Sequence, residues 1–309
     1  MKRQAVLFTA AGIGITLFCL LGISWIGPSG AFLNLFTSIP AAYLSLRYDL
    51  RSGIVVVAVT SLLLLQLATT YTLAAYLGMF GIGSLLLPFF LQRQTSWDRA
   101  AGYATLGSAV ATVVMLLVAV IISGVNLQAL IDQMIQAEVD QAMQVYSDAG
   151  FSASQLQQMQ QVVDGMAEFI GKSFYGLFLA ALLAIQSLTL LVLQWLKKDH
   201  YRFAGIAFDR WRLPPVLIWV LIAAGFALFV PLEAVNLLGR NALAVVLPLY
   251  FFQGMAVVNS FLRRKTYPPA IKGLIYLLLL ILNPLPIIIT SVGVFDLWVD
   301  FRRPRQKNI

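Results

Sequence analysis

Hydrophobic positions in this chain come in long blocks, with no strand-like alternation. Mostly apolar runs cover 5–26, 30–46, 53–70, 73–91, 101–124, 171–196, 214–232 and 242–262, and another follows at 273–298. A membrane-crossing helix needs about 20 such residues, within a range of roughly 17 to 25. The pattern therefore predicts about eight spans. The second run is short, and Pro40 is expected to bend or end its helical pattern. The last run is interrupted by Asn283-Pro284-Leu285-Pro286. Its arms, 273–282 and 287–298, each reach only about halfway through a ~30 Å hydrocarbon core at ~1.5 Å per residue. A kinked span and a re-entrant hairpin both fit this break. Backbone groups freed at that depth are expected to be buried in protein or to line a cavity.

Between the fifth and sixth runs lies a different pattern. Ile135, Val139, Ala142 and Tyr146 form one helical stripe, and Leu156, Met159, Val163, Met166 and Ile170 form a second. Ser147-Asp148-Ala149-Gly150 reads as a turn, and Ser152 with Gln155 fits a capping box. Residues 125–170 are thus predicted to be a helical hairpin outside the bilayer. The domain order is 1–124, an N-terminal membrane bundle; 125–170, the hairpin; and 171–309, a C-terminal bundle with the broken segment and a basic tail.

Charge fixes the orientation. Of the 21 basic residues, all but Lys172 and Arg240 lie at the chain ends or in loops that share one side if the runs are spans. The basic side is cytoplasmic, so the N-terminus is expected inside. Arg302, Arg303, Arg305 and Lys307 follow the broken run, and re-entry would return them to that same side. The hairpin holds six acids and no base. With 60% hydrophobic and 11% charged residues, the chain falls far from the ~25% charge of a soluble domain. The class is all-α, a polytopic membrane helical bundle. The net charge of +8 reflects topology rather than a nucleic-acid-binding face. The first run resembles a secretory signal but is a full span long and has no A-x-A cleavage pattern, so it reads as an uncleaved helix.

Composition also narrows the chemistry. One cysteine, Cys19, and one histidine, His200 in the basic loop KKDHYR, leave no basis for a disulfide framework or a metal cluster. The eight expected spans hold no Asp or Glu, and Asp296 and Asp300 are read as lying close to the tail. No catalytic residue, cofactor site or metal site is assigned, and no enzymatic turnover is expected. What remains inside the runs is neutral: Asn34, Gln66, Gln186, Gln194, Gln253, Asn259 and Asn283. Each amide must find a partner, because hydrocarbon offers none. Tyr250 and Gln253, one turn apart, join Asn283 as a candidate pocket for a small neutral solute. In 197–213, Phe203, Ile206, Ala207 and Trp211 recur at helical spacing among basic residues. That predicts an interfacial helix, and Phe203, Ile206 and Trp211 are a candidate surface for a cytoplasmic or envelope protein partner.

The segments FDRWRLPPVLIWV (208–220), NALAVVLPLYFFQGMAVVNSFLRRK (241–265) and SVGVFDLWVDFRR (291–303) resemble the bacterial YybS-like family of membrane proteins. The resemblance implies a polytopic helical fold and carries over no catalytic residues. More distantly it is similar to the substrate-binding components of energy-coupling-factor transporters and to the rod-shape protein MreD. Those likenesses imply either a solute-binding, permease-like component without its own ATPase or a scaffold for cell-envelope machinery. The docking motif of the transporter components is matched here only by Ala10 and Gly14, a small-x-x-x-small pair.

Overall fold

The computed structural model describes residues 2–26, 28–68, 70–124, 126–196, 203–265 and 267–302, and every regular element among them is helical. The α-helices are α1 (Lys2–Ile26), α2 (Ile39–Arg47), α3 (Leu50–Leu67), α4 (Thr70–Ala75), α5 (Ile82–Gln92) and α6 (Trp97–Ser123). They continue as α7 (Leu127–Asp148), α8 (Ala153–Leu196), α9 (Leu217–Ala227), α10 (Glu233–Arg263), α11 (Pro269–Ile281) and α12 (Leu285–Val299). A 3₁₀ helix, Pro28–Phe36, precedes α2, and a π turn, Tyr76–Gly81, joins α4 to α5.

Six stretches among the described residues are long and apolar enough to cross a bilayer, and α11 with α12 makes a seventh if the pair is one span. Two expected spans differ. The run 30–46 is split between the 3₁₀ helix and α2. Pro40 lies in the first turn of α2, where a helix has no partner for its N–H, so this proline opens the helix rather than bending it. The run 214–232 forms only α9, whose 11 residues reach about 16 Å, because prolines 214, 215 and 231 confine it at both ends.

The break at 282–284 forms where expected, and α11 and α12 meet there at 98°. The sheltering does not follow. Leu282, Asn283 and Pro284 are exposed in this chain, and α11 buries no residue. The local backbone is instead partly satisfied by its own turn, with Leu285 N–H donating to Leu282 O at 2.7 Å and Ile287 N–H to Pro284 O at 3.1 Å.

The capping box closes as read. Ser152 N–H and its hydroxyl both donate to Gln155 Oε1 at 2.9 Å, and Gln155 N–H returns to Ser152 Oγ at 3.4 Å. From there α8 runs 44 residues, about 66 Å, so roughly half of it exceeds the ~30 Å hydrocarbon core. Val139 is buried, and Leu156, Met159 and Val163 are half-buried. Met166 and Ile170 are exposed, because the seam steps from 163 to 167 and leaves them off the packed face.

Two compact units divide the chain. The first contains Met1–Met134 and Ala181–Gly205, and the second contains Ile135–Ala180 and Ile206–Ile309. Unit 1 has two apolar clusters, one around Val56, Leu64, Tyr76 and Ile185, the other around Leu87, Leu91, Ala104 and Leu193. The core of unit 2 gathers Leu213, Ile218, Val246 and Tyr250. Its helices α10 and α12 pack backbone to backbone. A Cβ on Gly254 would fall 1.9 Å from Ile289 O, and one on Gly293 would fall 2.0 Å from Tyr250 O.

The interfacial helix expected across 197–213 does not form in its described part, where a single 3₁₀ turn, Phe208–Arg210, stands in otherwise non-helical chain. Its carbonyls are taken by a side chain: Arg302 Nη1 donates to Trp211 O at 2.7 Å and to Asp209 O at 3.1 Å. Lys197, Lys198, His200 and Arg202, and the tail residues Arg303, Arg305 and Lys307, lie outside the described residues.

Candidate functional site

Helix α10 places Tyr250 and Gln253 together in the core of unit 2, each 0% exposed. Gln253 is engaged at both ends of its amide. Oε1 accepts from Leu213 N–H at 2.9 Å, and Nε2 donates to Gly293 O at 2.8 Å. One side chain thus ties α10, α12 and the segment before α9. Tyr250 packs among apolar side chains, and its hydroxyl has no hydrogen-bond partner among the described residues. Asn283 is exposed at the α11–α12 junction. The three partner-surface residues also separate. Phe203 packs against the unit 1 core, Trp211 packs against that of unit 2, and Ile206 is exposed.

The other amides divide by environment. Asn259 accepts from Tyr276 Oη at 2.8 Å and so holds α11 to α10. Gln66 and Gln194 are exposed. Gln186 is 0% exposed in unit 1, with neither end of its amide bonded among the described residues. A Cβ on Gly83 would lie 1.9 Å from its Nε2 and 2.9 Å from the equally unpartnered Ser108 Oγ, so that glycine is what admits the amide.

The densest chemistry lies where the sequence was read as tail. Asp296 is inside α12 and 0% exposed, a carboxylate within an apolar segment. Arg302 Nη2 stands 2.9 Å from Asp296 Oδ2, out of line for a hydrogen bond, and Arg212 Nε stands 3.5 Å from the same oxygen. Arg212 also pairs with Asp300, and Arg263 Nη1 meets Asp209 Oδ1 at 2.6 Å. Arg263 sits in the last turn of α10, where the negative end of the helix dipole favours a cation. Burial lowers the pKa of the Arg302 guanidinium, and the charge of Asp296 opposes that effect. The group stays a cation, since arginine does not deprotonate in proteins.

Asp209, Arg210, Arg212, Ser260, Arg263, Arg264 and Arg302 line a cavity of about 670 Å³. That is within the ~300–1,000 Å³ typical of small-molecule sites. Among the described residues the five arginines face three aspartates, Asp209, Asp296 and Asp300, which leaves a net charge of +2. Arg210 and Arg264 form no ion pair among the described residues, and Arg264 also donates to Arg302 O. Sequence reading missed this cluster because its members come from 209–212, 260–264 and 296–302. The available signal was Asp296 itself, since a charge inside an apolar helix is rare and marks a site.

No curated protein and no solved structure matches this chain. A family model described as "Predicted membrane protein (DUF2232)" matches residues 13–297. The chain is an all-helical, membrane-embedded protein and belongs to that family.

Proposed function

We propose that the protein is a solute-binding, permease-like component of a bacterial cytoplasmic membrane, without its own ATPase, and that its ligand is acidic. The observation that carries this reading is the arginine-lined cavity of about 670 Å³ with its net positive charge. A cationic wall, exposed at Arg210, Arg212, Arg263 and Arg264 and buried at Arg302, lowers the free energy of an anion and rejects a cation or a neutral solute by comparison. The ligand site is therefore assigned to the arginines rather than to Tyr250, Gln253 and Asn283, since the Gln253 amide is already held at both ends. The role is binding rather than turnover.

In this reading the N-terminus and the ends of α5, α8 and α10 face the cytoplasm. The 3₁₀ helix and α2 act as one composite crossing: nine residues at ~2.0 Å and nine at ~1.5 Å reach about 31 Å. The α11–α12 pair folds back to the cytoplasmic side. Orientation is tested with a single cysteine at position 308, outside the described residues, in a Cys19→Ser background. An impermeant thiol reagent should leave it unlabelled in intact cells, and labelling from outside would overturn the topology.

The binding reading is tested on the detergent-purified chain with a panel of acidic and neutral solutes. Acidic solutes should raise the unfolding midpoint, and stabilisation by neutral solutes alone would overturn it. A scaffold role has its own support: Val162, Met166 and Phe169 form an exposed apolar stripe on α8. That stripe lies on a hairpin bearing acids and no bases between 125 and 170, a surface suited to a basic envelope partner.

A further inference from the structure

We infer that the cavity of unit 2 is a site for a dianionic phosphate group, contacted by Arg210 and Arg264 and shaped by Arg302. The inference rests on the acidic-ligand reading above and adds the ligand's chemical class and the residues that touch it.

The five guanidiniums have unequal roles. Arg302 is pinned from inside, by Asp296 at 2.9 Å and by the carbonyls of Asp209 and Trp211. Its side chain is only 8% exposed. It therefore positions the 209–211 backbone and sets the cavity floor. Arg212 and Arg263 stand at the edge with their charges matched by Asp296, Asp300 and Asp209. Arg210 and Arg264 have no such counter-charge among the described residues. They are the source of the uncompensated charge of two.

A phosphate monoester carries about −1.5 to −2 at neutral pH and three acceptor oxygens. It matches that surplus in charge, and guanidinium forks suit its oxygens in geometry. The Ser260 hydroxyl lines the same cavity, so it adds a neutral donor. A monocarboxylate or other monoanion would leave part of the charge uncompensated, and a dicarboxylate matches the charge but spreads its oxygens over two centres instead of grouping three on one. The phosphate has two natural sources, a soluble phosphate ester or the headgroup of an acidic phospholipid. Arginines at the ends of α10 and α12 are placed for either one.

The test uses the full chain in detergent and in nanodiscs. Inorganic phosphate, glycerol 3-phosphate and malonate are titrated by calorimetry. Phosphatidate and phosphatidylcholine are compared by lipid retention in native mass spectrometry. Phosphate or glycerol 3-phosphate should bind at least tenfold tighter than malonate, or phosphatidate should be retained over phosphatidylcholine. Binding in the first arm assigns a soluble ester, and retention in the second alone assigns a headgroup. Arg210→Ala, which removes an exposed side chain without an ion-pair partner, should weaken that binding about tenfold with an unchanged unfolding midpoint. Arg210→Ala with Arg264→Ala should abolish it. Equal affinity for malonate and phosphate would overturn the phosphate assignment while leaving an acidic-ligand site. Binding of no anion in either arm would overturn both. Phosphate binding that survives the double substitution would overturn the assigned contacts.

Discussion

The two units differ in the charge of the polar groups they bury. Unit 1 buries neutral ones. Ser108 and Gln186 are each 0% exposed, and their side-chain polar atoms have no hydrogen-bond partner among the described residues. Unit 2 buries a carboxylate, Asp296, and surrounds it with arginines. A neutral amide or hydroxyl without a partner costs a few kcal/mol, whereas an unpaired ion costs far more. A charge is therefore kept inside only where loops can supply its partner, and here that place is the end of α12. The difference teaches where function is sought: the neutral interior of unit 1 is compatible with packing alone, while the charged end of unit 2 is costly packing.

The contrast breaks most directly at Asp296. Asp296→Ala leaves Arg302 buried without its counter-charge and should destabilise the protein by about 3–5 kcal/mol, read from denaturant unfolding of the purified chain. Asp296→Ala with Arg302→Met removes both charges and should recover much of that loss. Failure to recover would show that Arg302 acts mainly through the Asp209 and Trp211 carbonyls. Gln253→Leu strands Leu213 N–H and removes the tie to Gly293 O, and should cost about 2 kcal/mol in the same assay.

Unit 1 should respond more weakly. Asp49 caps α3 by accepting from Ser52 N–H at 2.8 Å and Ser52 Oγ at 2.6 Å, and Asp49→Ala should cost about 1 kcal/mol. Those hydrogen bonds lower the Asp49 pKa. The carboxylate's contribution is thus complete above its unfolded value of ~3.9 and fades as pH falls through the lower folded value. The difference between wild type and Asp49→Ala should narrow accordingly in acid unfolding. The smallest effect belongs to Gln186→Leu. It removes an amide with no partner and keeps most of its volume, so stability should stay within about 1 kcal/mol of wild type or rise. A large loss there would mean that Gln186 holds something in the interior, and the comparison between units would fail.

Much of the architecture was legible from one-dimensional pattern. The long apolar helices, the Ser152–Gln155 cap and the break at Asn283-Pro284 are local consequences of residue type, so a short window suffices to read them. Within 203–213, the described part of the expected surface helix, helical spacing competes with Pro214, Pro215 and the Arg302 guanidinium, and only the prolines are neighbours in sequence. Asn283 was grouped with Tyr250 and Gln253 on depth alone, although α10 buries two of them and the α11–α12 bend leaves the third exposed.

By itself the sequence determined that this chain is a bundle of apolar helices with a helical hairpin and a broken last segment. Hydrocarbon length, proline geometry and capping act over a few residues and leave little choice. Tertiary structure alone decided which polar groups meet. Asp209, Arg212, Arg263, Asp296 and Arg302 come from segments up to about ninety residues apart. Coulombic attraction between them depends on distance in space, which only the packing of α10 against α12 and the segment before α9 could set.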